Sequence, residues 1–293
     1  MQNPKRRKHS LHGKETWFDY YAGYSAAFVR DVLPHVLPRN KGRILDPWNG
    51  GGTTTTVAHE QGIDSTGIDI NPVMVVVAKA KLLSSRVGDS LLPLSEEIVT
   101  VGMQMKERVL ATDPLLEWFA PSGALPVRQL AGAISKLLVS TEASEPAFLP
   151  KHIGKLSDLA AFFLVALFRT TRLLVSRFRP TNPTWIKSPD SDRQRIRPTP
   201  ETVFDMFRLH VLDMREGLST IFGQANTVIT LGSSDALPMQ AKSVDAVIAS
   251  PPYCTRIDYA VATKPELAIL GCTSPRDFAI LRRQMMGGRS SPL

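Results

Sequence analysis

Cysteine is almost absent from this chain of 293 residues, which carries only Cys254 and Cys272. Two such residues exclude a disulfide-stapled scaffold, and no Cys/His grouping has the spacing of a zinc site. The six histidines (His9, His12, His35, His59, His152 and His210) are scattered, a pattern of solvated or capping roles rather than ligation. No metal is therefore expected. Long apolar runs are missing too: the longest, Leu159 to Phe168, falls far short of the roughly 20 residues of a membrane span and reads as core. The basic start Lys5-Arg6-Arg7-Lys8 has no apolar stretch behind it, so it does not read as a secretory signal. Internal repeats and low-complexity tracts are lacking as well. These absences predict a soluble protein of a reducing compartment, the cytoplasm, with no membrane partner. The chain is 43% hydrophobic and 21% charged, the balance of a globular protein, and its length suits one large domain or two small ones. A formal net charge of +8 and a pI near 9.6 point to a polyanionic partner.

The order of local signals predicts an α/β core interrupted by helices. Residues 1–15 are basic and polar and read as a mobile arm. Trp17 to Leu37 is aromatic-rich, then helical in period, with Phe28, Val32 and Val36 on one face. Arg43 to Leu45 reads as a strand ending at Asp46-Pro47, and Thr53 to Gln61 as a helix opened by glycines. Ser65 to Ile70 reads as a second strand, and Pro72 to Leu83 as a helix with proline in its first turn. Such alternation predicts a parallel, doubly wound sheet. From Ser84 to Ala225 only helical stretches stand out, at 95–111, 126–139, 156–178 and 200–221, the last capped by Thr199. Strands resume at Asn226 to Leu231 and Val244 to Ala249, with helices at 263–270 and 275–286. The expected division is a core of residues 16–84 and 226–293 with a helical insertion at 85–225.

Four segments at strand ends carry the chemistry. Asp46-Pro47-Trp48-Asn49-Gly50-Gly51-Gly52-Thr53 lies between a strand and a helix. Its glycines admit a ligand close to the backbone, at a helix start whose free amides favour electron-rich groups. Thr55 stands where the dinucleotide fingerprint needs its third glycine, so that motif is not met, and a tight turn without ligand would be spelled alike. Asp69, in Gly67-Ile68-Asp69-Ile70-Asn71-Pro72, follows about 20 residues after the turn, where an acid accepts ribose hydroxyls. Asp and Asn before proline also cap helices. Gly232 to Pro238 sets Asp235 and Ala236 after the third strand, where a carboxylate accepts from an exocyclic amino group or an ordinary surface turn stands. Ser250-Pro251-Pro252-Tyr253 follows the last strand. Its prolines remove two donors and fix the backbone, leaving the Pro251 carbonyl free to face a ligand. With a hydroxyl before and a ring after, the group suits a planar base carrying an amino group.

A fifth segment concerns charge. Between Arg169 and Arg197 eight basic side chains meet only two acids, Asp190 and Asp192. Arg177, Arg179, Lys187, Arg193 and Arg195, interleaved with Trp185, suit phosphate neutralisation and base stacking. A solvated helix end and loop is the plainer explanation.

In this order the motifs resemble the class I S-adenosylmethionine-dependent methyltransferases, in particular the amino-group DNA methyltransferases acting on cytosine N4 or adenine N6. Asp46 to Thr54 is similar to the family's cofactor loop, with Trp48 at its usual phenylalanine. Gly67 to Pro72 is similar to its ribose motif, Asp235 to the acid at the cofactor adenine, and Ser250 to Tyr253 to its catalytic tetrad. Trp17 to Tyr24 resembles, more loosely, the segment that closes over the methionine end of the cofactor. The resemblance implies a Rossmann-like core with sheet order 3-2-1-4 and S-adenosylmethionine as cofactor. Tyr21, the loop residues Asp46, Pro47, Trp48, Gly50, Gly52 and Thr53, and then Asp69, Ile70, Asp235 and Ala236 would hold it.

The same resemblance implies double-stranded DNA as substrate, with the target base turned out of the duplex. Serine at the head of the tetrad leans toward cytosine N4 over adenine N6. A restriction-modification or defence setting, with a restriction subunit as partner, goes with it. Cys254 follows Tyr253, whereas the nucleophile of cytosine-C5 enzymes follows proline directly, so Cys254 reads as a small packed residue. One departure stands out: the family's core has a further parallel strand and a strand pair after the tetrad, and only residues 254–293 follow it here. That raises a second expectation, a cofactor-binding half inactive without a complementing chain, with residues 244–249 as an edge strand.

Overall fold

The computed structural model of the chain describes residues 2–5, 11–19, 23–39, 41–139, 150–180, 185–218, 225–253, 257–271 and 275–285. Its elements run α1 (Ala26–Val36), β1 (Arg43–Asp46), α2 (Thr53–Glu60), β2 (Asp64–Asp69), α3 (Pro72–Ala80), α4 (Gly88–Gln104), α5 (Pro121–Leu138) and α6 (Pro150–Ile153). They continue with α7 (Asp158–Leu174), α8 (Pro200–Glu216), β3 (Thr227–Leu231), β4 (Ala246–Val247), α9 (Tyr259–Ala262), α10 (Lys264–Ile269) and α11 (Pro275–Gln284). The strands form one parallel sheet in the order β3-β2-β1-β4, the Rossmann-like α/β arrangement expected.

Side-chain caps set several helix starts. Ser25 accepts from Phe28 N, Asn71 from Val73 N, Ser157 from Ala160 N and Thr199 from Thr202 N, with Pro72 and Pro200 at first helical positions. The buried face of α1 is Ala26, Val29 and Leu33, which pack with Ile44 and Ile248, so the expected Phe28-Val32-Val36 stripe is displaced by one residue. Helix α4 starts at Gly88, not at 95, running on from a short turn capped by Ser84, and it ends at Gln104 because Met105 adopts extended backbone. Helix α7 stops at Leu174, and a separate turn follows at Ser176–Phe178.

The larger core joins α3 to the helices of the middle region. Residues 73–78 of α3 and 160–168 of α7 are buried in one apolar cluster with side chains of α4, α5 and α8. Trp17 enters it edge-on to Phe162, with centroids 5.4 Å apart. The described parts of residues 1–15 contact the body of the protein. Gln2 N donates to Asp31, Lys5 bridges Tyr24, and the Lys14 amine donates to the carbonyls of Lys81 and Leu83.

β4 is an edge strand, as expected, but shorter: of the run Val244 to Ala249 only Ala246 and Val247 form a strand, and Val247 is 56% exposed. Register puts Val247, Leu45, Thr66 and Val228 on one face, and Val228 is also 45% exposed. The cause is the β3–β4 connection. It carries turns, including Lys242 at φ 61, and no helix, so both edges of that face stay bare among the described residues and the winding is not double there.

Candidate active site

Parallel strands bring their carboxyl ends to one rim, and the chemistry-bearing residues gather along it. Asp46 ends β1, Asp69 ends β2, Gly232 follows β3, and Ser250 lies just past β4. Leu45 pairs with Val247, Asp46 with Gly67, and Asp69 with Leu231. With neighbouring strands about 4.8 Å apart, the ends of β2 and β4 stand about 10 Å apart across β1. Strand order reverses at β1, and open α/β sheets bind ligands at such a switch point.

The glycine turn between β1 and α2 depends on left-handed backbone. Gly50 has φ 50 and Gly52 has φ 77, and a Cβ on Gly52 would stand 2.8 Å from the Cβ of Ala78. Gly50 N donates to Asp69 Oδ2 at 2.7 Å and Asn71 N to Oδ1 at 2.8 Å, tying the loop to β2. Each Asp69 oxygen keeps a lone pair for a ligand hydroxyl. Desolvation pushes this carboxyl up to about 6, against those two hydrogen bonds. Asp46 is 3% exposed and turns inward. It accepts from Thr54 Oγ1 at 2.6 Å, Trp48 N at 3.2 Å and Tyr24 Oη at 3.3 Å. Burial, opposed by these bonds and reinforced by the charge on Asp69, pushes it up to about 7. Tyr24 also hydrogen-bonds the Thr54 hydroxyl, and burial with Asp46 beside it holds its phenol far above the usual range. Asp46 thus braces the loop from within, while Trp48, Gly50 and Thr53 remain partly exposed and Pro47 and Gly52 are buried.

Asn49 completes the turn. Its Oδ1 accepts from Thr55 Oγ1 at 3.0 Å, its backbone N–H donates to the Ile68 carbonyl, and its side chain fills the space over Gly67. Its buried Nδ2 has no acceptor among the described residues. A donor without partner, a carboxylate with spare lone pairs and a backbone open to close approach make a set that fits the polar nucleoside of S-adenosylmethionine. Beyond β3, Gly232 N donates to the Asp69 carbonyl at 3.0 Å, and Asp235 and Ala236 form an exposed turn beside it. Ile70 packs against the small cluster of Ile257, Tyr259, Ala260 and Met285.

The tetrad faces solvent. Ser250 and Pro251 are exposed, Pro252 is partly so, and Tyr253 is 64% exposed, with a ring face open for stacking. Its backbone N–H donates to Tyr259 Oη at 3.0 Å, and Tyr259 is itself buried at the start of α9. Asn71 Nδ2 donates to Thr263 Oγ1 at 2.9 Å, so the same segment is fastened to the end of β2. Tetrad and Asp69 therefore share one framework. Tyr21 and both cysteines lie outside the described residues.

The basic segment forms a pinned loop. Ile196 N donates to the Trp118 carbonyl, and Trp118 Nε1 donates to the Lys187 carbonyl at 3.0 Å. Arg177, Lys187 and Arg193 are exposed, Trp185 is 40% exposed, and Arg195 pairs with Asp192 at 3.1 Å. Arg197 belongs with them, its guanidinium folded onto the carbonyls of Asp192 and Arg195. Arg179 does not join this rim. It is partly buried, Nε and Nη2 lack acceptors among the described residues, and burial with Arg172 nearby lowers its pKa. Tyr24, Asn49 and Tyr259 were not singled out by sequence. The first two sit inside motif segments, whereas nothing local marks Tyr259. Among the described residues, no group of three His, Cys, Asp or Glu side chains could hold a metal, and no helix is long and apolar enough to cross a membrane.

The chain is 25% identical to the Type II methyltransferase M.AvaI of Nostoc sp., over 92% of its own length and 56% of that protein's. It is also 25% identical to the Type II methyltransferase M.BsoBI of Geobacillus stearothermophilus, over 90% and 53%. A stretch of 62 residues is 40% identical to the Type II methyltransferase M.MjaII of Methanocaldococcus jannaschii, covering 20% of the chain and 12% of that protein. These matches make the chain similar to Type II methyltransferases, in keeping with the family its motifs resemble. It spans about half the length of the first two. No family model matches it, and no solved structure does.

Proposed function

We propose that this chain, similar to Type II methyltransferases, moves a methyl group from S-adenosylmethionine to an exocyclic amino group in DNA, cytosine N4 ahead of adenine N6, at a specific site in the cytoplasm. The observation that carries the reading is a Ser-Pro-Pro-Tyr segment past the end of β4, across β1 and its glycine turn from Asp69. The cofactor, when bound, supplies an electrophilic methyl group. Asp69 accepts the ribose hydroxyls, Asp235 the adenine amino group, and the Gly50–Thr53 backbone admits the cofactor closely. The target base must leave the stack, because its amino nitrogen cannot otherwise meet the methyl carbon. Tyr253, already exposed, stacks on it. Ser250 Oγ and the Pro251 carbonyl accept its amino hydrogens and aim the nitrogen lone pair. Catalysis is then positioning and electrostatics. Arg177, Lys187, Arg193 and Arg195 neutralise phosphates around Trp185, and a restriction subunit would complete the setting.

Labelled S-adenosylmethionine, unmethylated DNA and mass identification of the digested nucleosides test this. N4-methylcytosine supports the full reading, and N6-methyladenine moves the target base. A second reading is favoured by the bare edge at Val247: a cofactor-binding unit that turns over only with a complementing chain. Cofactor binding without any methylated base would select it.

A further inference from the structure

We propose that Lys81 is a positioning residue for the glycine turn, held in register by Lys14 of the amino-terminal segment. Lys81 lies just past α3, is 5% exposed, and its Nζ donates to the Gly51 carbonyl at 2.6 Å. One helical turn earlier Ala78 packs directly on Gly52, leaving no room for a Cβ. Residues three apart share a helix face, so one face of α3 grips both halves of the turn, by packing at Gly52 and by a charged hydrogen bond at Gly51. That bond matters because the turn's other backbone bonds, such as Gly50 N on Asp69, Asn49 N on the Ile68 carbonyl and Gly52 N on the Asn49 carbonyl, act on its other residues, and among the described residues none of them restrains Gly51.

The end of α3 is fixed in turn from outside the sheet. Lys14 Nζ donates to the Lys81 carbonyl at 2.7 Å and to the Leu83 carbonyl at 2.8 Å, satisfying acceptors that a helix end leaves open. Its ammonium sits 5.9 Å from the centroid of the Trp17 ring, which anchors in the main core. Burial lowers the Lys14 pKa to about 8, the mark of an amine committed to an interior site. A chain of contacts thus runs from the amino-terminal segment through α3 to the turn that meets the cofactor. The inference rests on the cofactor reading only for its functional consequence; the mechanical link is separate.

The test compares Lys81→Met, which keeps the stem and loses the ammonium, with Lys81→Arg. The first readout is amide hydrogen exchange at Gly50 and Gly52 without cofactor. The second is the affinity for S-adenosylhomocysteine by calorimetry. Lys81→Met is expected to speed exchange at these two amides about tenfold and weaken binding about tenfold, with Lys81→Arg restoring most of both. Exchange at Gly50 and Gly52 within about twofold of the parent would overturn the proposal. So would a uniform loss of protection across α3 and the sheet, which marks a merely structural lysine. Should Lys81→Met not fold, Lys14→Met decides, and faster exchange confined to the turn supports the link while unchanged exchange overturns it. A parent chain that does not bind S-adenosylhomocysteine would remove the cofactor reading, and loop exchange would still judge the link.

Discussion

Two glycines with nearly the same backbone separate strain from crowding. Gly52 (φ 77) and Gly62 (φ 72) flank α2 at opposite ends, both left-handed. A Cβ on Gly62 meets nothing within 4 Å, whereas one on Gly52 meets Ala78 Cβ at 2.8 Å and Ala78 Cα at 3.0 Å. Gly62→Ala should therefore cost only the left-handed penalty, about 1 kcal/mol. Gly52→Ala adds overpacking against backbone that cannot move without shifting α3, another 2 kcal/mol or about that, for a total near ~3 kcal/mol. Urea unfolding followed by tryptophan fluorescence measures both, since Trp17 and Trp118 are fully buried reporters. Equal slopes with midpoints ordered parent, Gly62→Ala, Gly52→Ala are expected. If the two variants agree within about 0.5 kcal/mol, the turn is not wedged against α3 and the account of its rigidity fails.

Ser250→Ala and Tyr253→Ala should cut methyl transfer about 100-fold or more while leaving the melting temperature and cofactor affinity unchanged, because both side chains are exposed; a large loss of stability would contradict that geometry. Asp46 near 7 and Asp69 near 6 stand above the ordinary carboxylate value of 3.8. Between about pH 4 and 7 the folded chain keeps protons that the unfolded chain releases, so these groups make stability fall as pH rises through that window. Asp46→Asn should flatten the decline in urea midpoint between pH 5 and 7, and an unchanged slope would count against the buried acid. Lys187→Ala and Arg193→Ala should each lower the salt slope of DNA binding by about 0.9, whereas Arg179→Ala, partly buried, should lower stability and leave the slope alone. Slopes from a titration at several salt concentrations decide between these.

Local chemistry made most of the sheet readable. Glycine and proline at Gly52, Pro72 and Pro200, with caps at Asn71 and Thr199, bound elements whose ends depend on neighbours one turn away. Alternation foretold only a parallel sheet; the order β3-β2-β1-β4 was implied by the family resemblance, and the sheet has it. What sequence could not supply was the environment of an element. Helix α1 buries Val29 and Leu33 because Ile44 and Ile248 lie opposite them, and its own periodicity admits the neighbouring stripe equally well. Helix α4 begins a full two turns early because the turn capped by Ser84 leads into it, a local signal that its apolar spacing does not carry.

The site divides along the same line. The glycine turn, Asp69 and the tetrad are contiguous strings at strand ends, so their spelling carries them. Tyr24 on Asp46, Tyr259 on Tyr253 and Lys81 on Gly51 are pairs separated by tens of residues or by an element boundary, which only folding brings together. The consequence is an uneven site: the side of Asp46 and Asp69 is buried and braced, while among the described residues the tetrad is held by one backbone bond to Tyr259 and stands open. Under the proposed function a base arriving from DNA would need that openness, because stacking on Tyr253 would require a free ring face. The apolar spelling of Val244 to Ala249 belongs to a strand built for burial on both faces, yet Val247 is bare. Adding a complementing chain to a cofactor-bound sample that shows no turnover is therefore the direct trial of that strand, and activity gained only then would assign the bare edge its purpose.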